Sequence, residues 1–321
     1  MNNRVYDIVA LGELLIDFTP CGVSETGMKM VEMNPGGAVA NVLCAASRLG
    51  LSTGFIGKVG EDAHGRYLRA KLCEYGVEPV GLIASEEAPT TLAFVDIDDN
   101  GERSFSFIRD PGADTLLRAD ELSDEVLSRA RVLHVGSLSM TAEPSRSATL
   151  EAIRRAKAAG ALITYDPNYR ELLWSGEEEA VKQMRSLLPL ADMVKISDNE
   201  AVLLTGKESP VEALGVLTDM GIKCAVVTVG ADGAYVGAGG ETALVESFRR
   251  DAVDTTGAGD AFWGGFLTSF IRDGADIESI TLESAVKHTR FGCAVAACCV
   301  MKRGAMPAMP DEAAVASMLE E

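Results

Sequence analysis

The sequence predicts an α/β fold in which a mostly parallel central sheet is flanked by helices and carries a small β lid. Short, apolar, β-branched runs alternate with runs at helical spacing along most of the chain. Several helical runs are followed at once by glycine, the residue that suits a helix C-terminus. Two stretches, at residues 12–34 and 92–108, break the alternation and lack helical periodicity.

The alternation opens with a strand at 5–11 and a helix at 38–49 closed by Gly50. A strand at 55–59 and a helix at 63–75, ended by Gly76, repeat it. Helix 145–159 stops at Gly160 and strand 161–165 follows. Strand 193–196, helix 211–220 with Gly221 behind it, and strand 224–229 continue the pattern. Strands separated by helices pair in parallel and are covered on both faces. No repeat or low-complexity linker interrupts the 321 residues, so a single domain over 1–321 is expected. Within the second break, segments 92–97 and 103–108 flank Asp98-Asp99-Asn100-Gly101, whose Asn-Gly favours a tight hairpin. Together with residues 12–34 it forms the expected lid, spanning 12–34 and 90–112; an ordinary surface hairpin is the alternative reading.

Charge narrows the function. The 48 acidic residues against 29 basic ones leave a net charge of −19, a field that repels nucleic-acid phosphates and anionic membrane surfaces. Neither is an expected partner, and small molecules are. An anionic co-substrate must then be held by local devices such as oriented amides, a few cations or a metal. Seven scattered cysteines without a C-x-x-C pair argue for reduced core thiols, and three distant histidines make no local metal motif. No apolar run approaches the length of a membrane helix, so a cytoplasmic protein is expected, as monomer or homodimer.

The most informative stretch is Asp254-Thr255-Thr256-Gly257-Ala258-Gly259-Asp260, which opens an apolar helix running to Ile271. Small residues at Gly257, Ala258 and Gly259 let backbone amides close on a phosphate, and the helix N-terminus adds partial positive charge. Asp260 stands at the mouth of this anion hole. A carboxylate there opposes a phosphate unless it has a task, and accepting the proton of an acceptor hydroxyl is such a task. Capping the helix is the bland alternative for Asp260. A dinucleotide fingerprint is excluded, because Gly257-x-Gly259 lies late in the chain and is followed by Phe262. A Walker A loop is excluded too: Gly57-Lys58 precedes Val59, and Gly206-Lys207 precedes Glu208. A second glycine-rich site, Gly36-Gly37 with Asn41 downstream, offers close backbone approach and an amide that both donates to and accepts from hydroxyls.

With these residues in view, the chain resembles the ribokinase-like (PfkB) family of carbohydrate kinases over nearly its whole length. The 254–260 run carries the family's C-terminal signature and Gly36-Gly37-Ala38-Val39-Ala40-Asn41 its sugar-binding one. The resemblance implies ATP and Mg2+, with K+ as a further expectation. It assigns Asp17, Gly36, Gly37 and Asn41 to the sugar, and Asp260 with the Gly257-Ala258-Gly259 hole to catalysis. On the nucleotide side it implies Lys195, Glu200, Thr228, Gly230, Gly233 and Cys293. Glu200 belongs to an N-x-x-E motif whose asparagine is replaced by Ser197, and Cys293 stands where relatives often carry asparagine near the adenine. Glu200 and Asn168 are expected to reach magnesium through water, and Asp254, Thr256 and Gly304 to surround potassium.

The middle of the chain is similar to the fructokinase branch of that family. Phe105-Ser106-Phe107-Ile108-Arg109-Asp110-Pro111-Gly112-Ala113-Asp114 and Asp166-Pro167-Asn168-Tyr169-Arg170 carry the likeness, adding Phe107, Arg109 and Arg170 to the sugar contacts. D-Fructose, phosphorylated to fructose 6-phosphate, is therefore the expected reaction. The rival is 2-keto-3-deoxygluconate, whose carboxylate Arg109 and Arg170 could bind; Asp110 opposes such an anion. A nucleoside kinase needs a more aromatic pocket than 6% aromatic residues suggest. A sensor that binds without turnover is set against by the intact loop and acid.

Overall fold

The computed structural model describes residues 5–97, 103–274 and 276–321. Strand β1 (Tyr6–Leu11) leads through a short turn to β2 (Leu15–Val23) and β3 (Lys29–Gly36), and then to helix α1 (Ala38–Arg48). Next come β4 (Thr53–Gly60), α2 (Ala63–Glu74) and β5 (Val77–Ser85), followed by the hairpin strands β6 (Leu92–Ile97) and β7 (Arg103–Ile108). The turn expected at Asp98-Asp99-Asn100-Gly101 lies outside the described residues. Helix α3 (Asp124–Ser128), β8 (Ala130–Val135), α4 (Ser145–Ala158), β9 (Leu162–Tyr165) and α5 (Glu177–Leu187) form the middle. Then β10 (Met193–Ser197), α6 (Asp198–Thr205), α7 (Pro210–Asp219) and β11 (Cys224–Thr228) continue the alternation. Strands β12 (Ala234–Ala238) and β13 (Glu241–Val245) precede the C-terminal helices α8 (Ala258–Arg272), α9 (Leu282–Cys299) and α10 (Glu312–Leu319).

Nine strands form the main sheet in the order β13-β12-β11-β10-β9-β8-β1-β4-β5. Pairing is parallel from β5 through to β11, and only β12 and β13 are antiparallel. Alternate residues of each strand feed opposite layers: Ile8 and Ala10 of β1 join one core, Val9 and Leu11 the other. This two-sided burial explains why the strands read as unbroken apolar runs. On one face α1, α8 and α9 supply Val42, Trp263, Phe266 and Val295; on the other α4, α5 and α7 supply Ala152, Met184 and Leu214. The glycines predicted behind helices do close them: Gly50, Gly76, Gly160 and Gly221 follow α1, α2, α4 and α7 with φ of +86°, +77°, +79° and +95°.

A second sheet, ordered β3-β2-β6-β7, is the lid. It is antiparallel except where β2 meets β6. Its root is held by one buried carboxylate. Asp114 accepts hydrogen bonds from Thr91 Oγ1, just before β6, and from Arg109 Nε and Nη2, just after β7. Both legs of the hairpin are thereby tied together.

Candidate active site

The loop before α8 leaves some, not all, of its amides open. Gly257, at φ +77°, is the N-cap of α8, so the chain enters the helix with its amides facing outward. The amides of Gly257, Gly259 and Asp260 have no acceptor among the described residues, whereas that of Ala258 donates to the Thr255 carbonyl at 3.2 Å. The anion hole is thus built from Gly257, Gly259 and Asp260 amides; Ala258 contributes a small side chain rather than a free donor, because the turn itself closes on its N–H. Lys195 reaches the same spot: a Cβ placed on Gly259 would lie 2.9 Å from its Nζ.

Asp260 does not cap this helix. It sits in the first turn of α8, three residues after the N-cap, 6% exposed, and its carboxylate turns toward α1 and the loop after β9. Asn41 Nδ2 donates to Oδ2 at 2.8 Å and Asn168 Nδ2 to Oδ1 at 3.1 Å. Asn168 therefore helps orient the acid. Burial raises the Asp260 pKa, while Lys195, the Asn41 bond and Arg170 oppose the rise. The result is a carboxylate more basic than a free one, as a general base requires. Beside it, Lys195 Nζ is paired with Asp166 Oδ2 at 2.8 Å. Burial works against the lysine's charge, but Asp166, Glu200 and Asp260 together outweigh it and raise its pKa; Asp166 is pushed up to about 7, chiefly by burial.

Two clefts meet at this point. The first is lined by Glu13, Asp17, Gly37, Asn41, Phe107, Asn168, Arg170, Lys195, Asp254, Thr256, Gly304 and Asp260, together with the anion-hole residues. Here the structure assembles residues from both lid and main sheet. Asp17, on β2, is raised to about 6 by burial, with Arg170 opposing. Gly36 lies against the Asp17 carboxylate rather than on the cleft wall. Gly37 must be glycine: its φ is +125°, and a Cβ would collide with the carbonyl oxygen of Glu13. Asp254 gathers the loop, accepting from Thr256 N and Oγ1 and from Gly304 N, fifty residues away in sequence.

The second cleft lies beyond the anion hole and is more apolar. Thr228, Gly230 and Gly233 line it with Phe262, Cys293, Ala296 and Val300. Thr255, Ala258 and Gly259 line both clefts, whereas Asp260 and Asn41 line only the first. A phosphate chain entering from the second cleft would therefore end at the amides, with the base on its far side.

Two expected contacts are placed elsewhere. Arg109 does not line the cleft; its side chain is 5% exposed and fully engaged by Asp114, Thr141 Oγ1 and the Leu138 carbonyl. Burying a guanidinium demands a paired acid and a full set of acceptors, and the lid root supplies both. Glu200 lines neither cleft: its Oε1 accepts from Tyr169 N, and its Oε2 from Ser197 N and Oγ. It closes a capping box on α6 and acts on Lys195 and Asp166 through charge alone. The Ser197-x-x-Glu200 spacing carried that signal in the sequence. Sequence reasoning missed Glu13, an acid just ahead of an apolar strand, and the Phe248–Arg290 stack (4.8 Å) beside the second cleft. Cys293 has a thiol pushed up to about 12 by burial, so it serves as an apolar wall.

Residues 6–312 match the model of the pfkB family carbohydrate kinases. The chain belongs to that family. Fructokinase-1 of Zea mays is 43% identical over 317 residues, 98% of each chain. A fructokinase from Xylella fastidiosa solved with bound ATP is 34% identical, covers 100% of this chain and 99% of its own, and has a TM-score of 0.91. A double mutant of a Vibrio cholerae fructokinase, solved with fructose, ADP and potassium, is 33% identical, covers 98% of both chains and has a TM-score of 0.88. The ribokinase-like fold expected from the sequence is the fold observed, and the enzyme is an ATP-dependent sugar kinase. Among the described residues of this kinase no helix is long and apolar enough to cross a membrane.

Proposed function

We propose that this kinase transfers the γ-phosphoryl group of ATP to D-fructose, at its exocyclic 6-hydroxyl, giving fructose 6-phosphate. One observation carries the reading: the two clefts meet at Thr255, Ala258 and Gly259, in the loop that forms the anion hole, and a buried carboxylate held by two asparagines opens only toward the first. Polar side chains of both hydrogen-bonding senses line that cleft, as a polyol requires. Asp17 accepts from sugar hydroxyls, and Asn41 and Gly37 hold the ring where its primary hydroxyl meets Asp260. Asp260 takes the hydroxyl proton as the oxygen attacks the γ-phosphorus in line. The free amides of Gly257 and Gly259 and the Lys195 ammonium neutralise charge as it builds on the phosphoryl oxygens.

Magnesium bound to the phosphates supplies further charge neutralisation. Asp166 fits an outer contact to it, because its Oδ1 is buried with no hydrogen-bond partner in the protein. Potassium fits beside the loop that Asp254 ties to Thr256 and Gly304, where an anionic site already orders the backbone. The lid, with Asp17, Val95 and Phe107 on the cleft, shields the transfer from water. The enzyme works as a single domain in the cytoplasm, where its seven free cysteines stay reduced.

A coupled ADP-release assay over a panel of sugars tests the substrate. The expected outcome is rapid turnover of D-fructose and slow turnover of 2-keto-3-deoxygluconate, whose carboxylate would face Glu13, Asp17 and Asp260. Preference for the sugar acid would overturn the fructose assignment, while loss of all sugar turnover would overturn the kinase mechanism.

A further inference from the structure

Helix α1 begins without the usual capping side chain. Its N-cap is Gly37, and its first turn holds no acid. The missing acceptor comes from far away in the fold: Glu13, in the turn between β1 and β2, places Oε1 2.6 Å from the Ala38 amide. The same residue's carbonyl oxygen packs against Gly37, so one residue fixes the di-glycine turn through backbone and side chain together. Glu13 is 2% exposed, yet it lines the first cleft, and its Oε2 has no hydrogen-bond partner among the described residues.

We propose that Glu13 is a positioning residue for the sugar: by capping α1 from outside the helix it sets the Gly36-Gly37 turn and Asn41 in the geometry that binds the acceptor. The inference rests on the sugar-site reading above. The path is short. Glu13 holds Ala38, the first residue of α1; Gly37 O accepts from Asn41 N at 2.9 Å; and Asn41 holds Asp260. What matters is reach, since the glutamate spans from the β1–β2 turn to the helix start. Charge is secondary. Burial pushes the carboxyl up to about 7, with the backbone amides of Glu13 and Ala38 opposing, Asp114 adding to the rise and Arg109 opposing it. Glutamine, neutral and equal in length, therefore keeps the bond that counts.

Glu13→Gln and Glu13→Asp separate reach from charge. Sugar KM, ATP KM and calorimetric sugar binding without nucleotide are measured beside thermal unfolding, with the sugar that the wild-type protein phosphorylates fastest. Glu13→Gln should stay within about threefold of wild type in sugar affinity, whereas Glu13→Asp, one methylene short, should lose about 10–100-fold, the worth of leaving a buried amide without its acceptor. ATP KM should stay within about twofold in both, because the second cleft does not use α1's first turn. Wild-type sugar affinity in a folded Glu13→Asp protein overturns the proposal, as does a Glu13→Gln protein impaired as much as Glu13→Asp, or an ATP KM that rises in step with the sugar KM. If Glu13→Asp fails to fold, Glu13→Gln decides alone: near wild-type sugar affinity supports the proposal and a tenfold or greater loss overturns it. A wild-type protein that turns over no sugar defeats the function reading instead, and calorimetric binding of D-fructose to the variants then decides the role of Glu13.

Discussion

Asn41 Nδ2 lies 2.8 Å from Asp260 Oδ2, although 219 residues separate them in the chain. The contact exists because α1 and α8 pack closely at Gly264, where a Cβ would sit 2.8 Å from the Val42 carbonyl oxygen. Helix packing thus brings Asn41 and Asp260 into one hydrogen bond. On the proposed reading, binding the sugar and activating it are coupled through that bond.

Asp260→Asn removes the proton acceptor while keeping the size of the side chain. Turnover should fall by about 10²–10⁴, the usual worth of a positioned base, with ATP binding unchanged. Steady-state rates and nucleotide titration check this; full turnover in the variant would end the general-base assignment.

Asn41→Ala should act on both sugar and base. The Asn41 bond holds the Asp260 pKa down against burial, so its loss raises that pKa further. The acid limb of the kcat profile should therefore move to higher pH, and sugar KM should rise by about tenfold for one lost hydrogen bond. An unmoved pH profile would show that the bond does not tune the base.

Activity and stability should respond to pH in opposite directions. Asp17, raised to about 6 by burial, is the stronger acceptor when ionised, so if it holds the sugar hydroxyls as proposed, kcat/KM for the sugar should fall as pH drops through about 6. Asp17→Asn should be poor throughout and lack that limb. Glu13, Asp17 and Asp166 all have folded values above their unfolded ones, up to about 7, 6 and 7. Folded protein binds these protons more tightly, so their stabilising contribution is full below about pH 4 and is lost as pH rises through about 6–7. Denaturant titrations of the ligand-free protein should give greater stability near pH 5.5 than near pH 8.

Arg109→Ala leaves Asp114 buried and unpaired at the lid root. Breaking such a pair costs about 3–5 kcal/mol, so the melting temperature should drop by about 5 °C or more. Arg109→Ala with wild-type stability and a raised KM for an acidic sugar would return Arg109 to the substrate.

The order of strands and helices, the glycine-closed helix ends and the anion-hole loop were legible in the sequence, because each depends on residues within a turn or two of one another. Asp254 to Asp260 is one continuous stretch, and its small residues and acid declare its chemistry without reference to the rest of the chain. Arg109 and Glu200 were not legible in the same way. An arginine after a lid strand suits a substrate carboxylate or a buried partner equally well, and only the approach of Thr91, Asp114 and Leu138 decided between them. Glu13 gave no signal at all, since its partner is an amide 25 residues away. The sequence by itself determined the local backbone and the kind of chemistry; tertiary packing decided which side chains face the cleft, which are spent holding it open, and which acids are raised by burial. The physical reason is that periodicity and capping act between near neighbours, whereas desolvation and pairing depend on what the folded chain brings alongside.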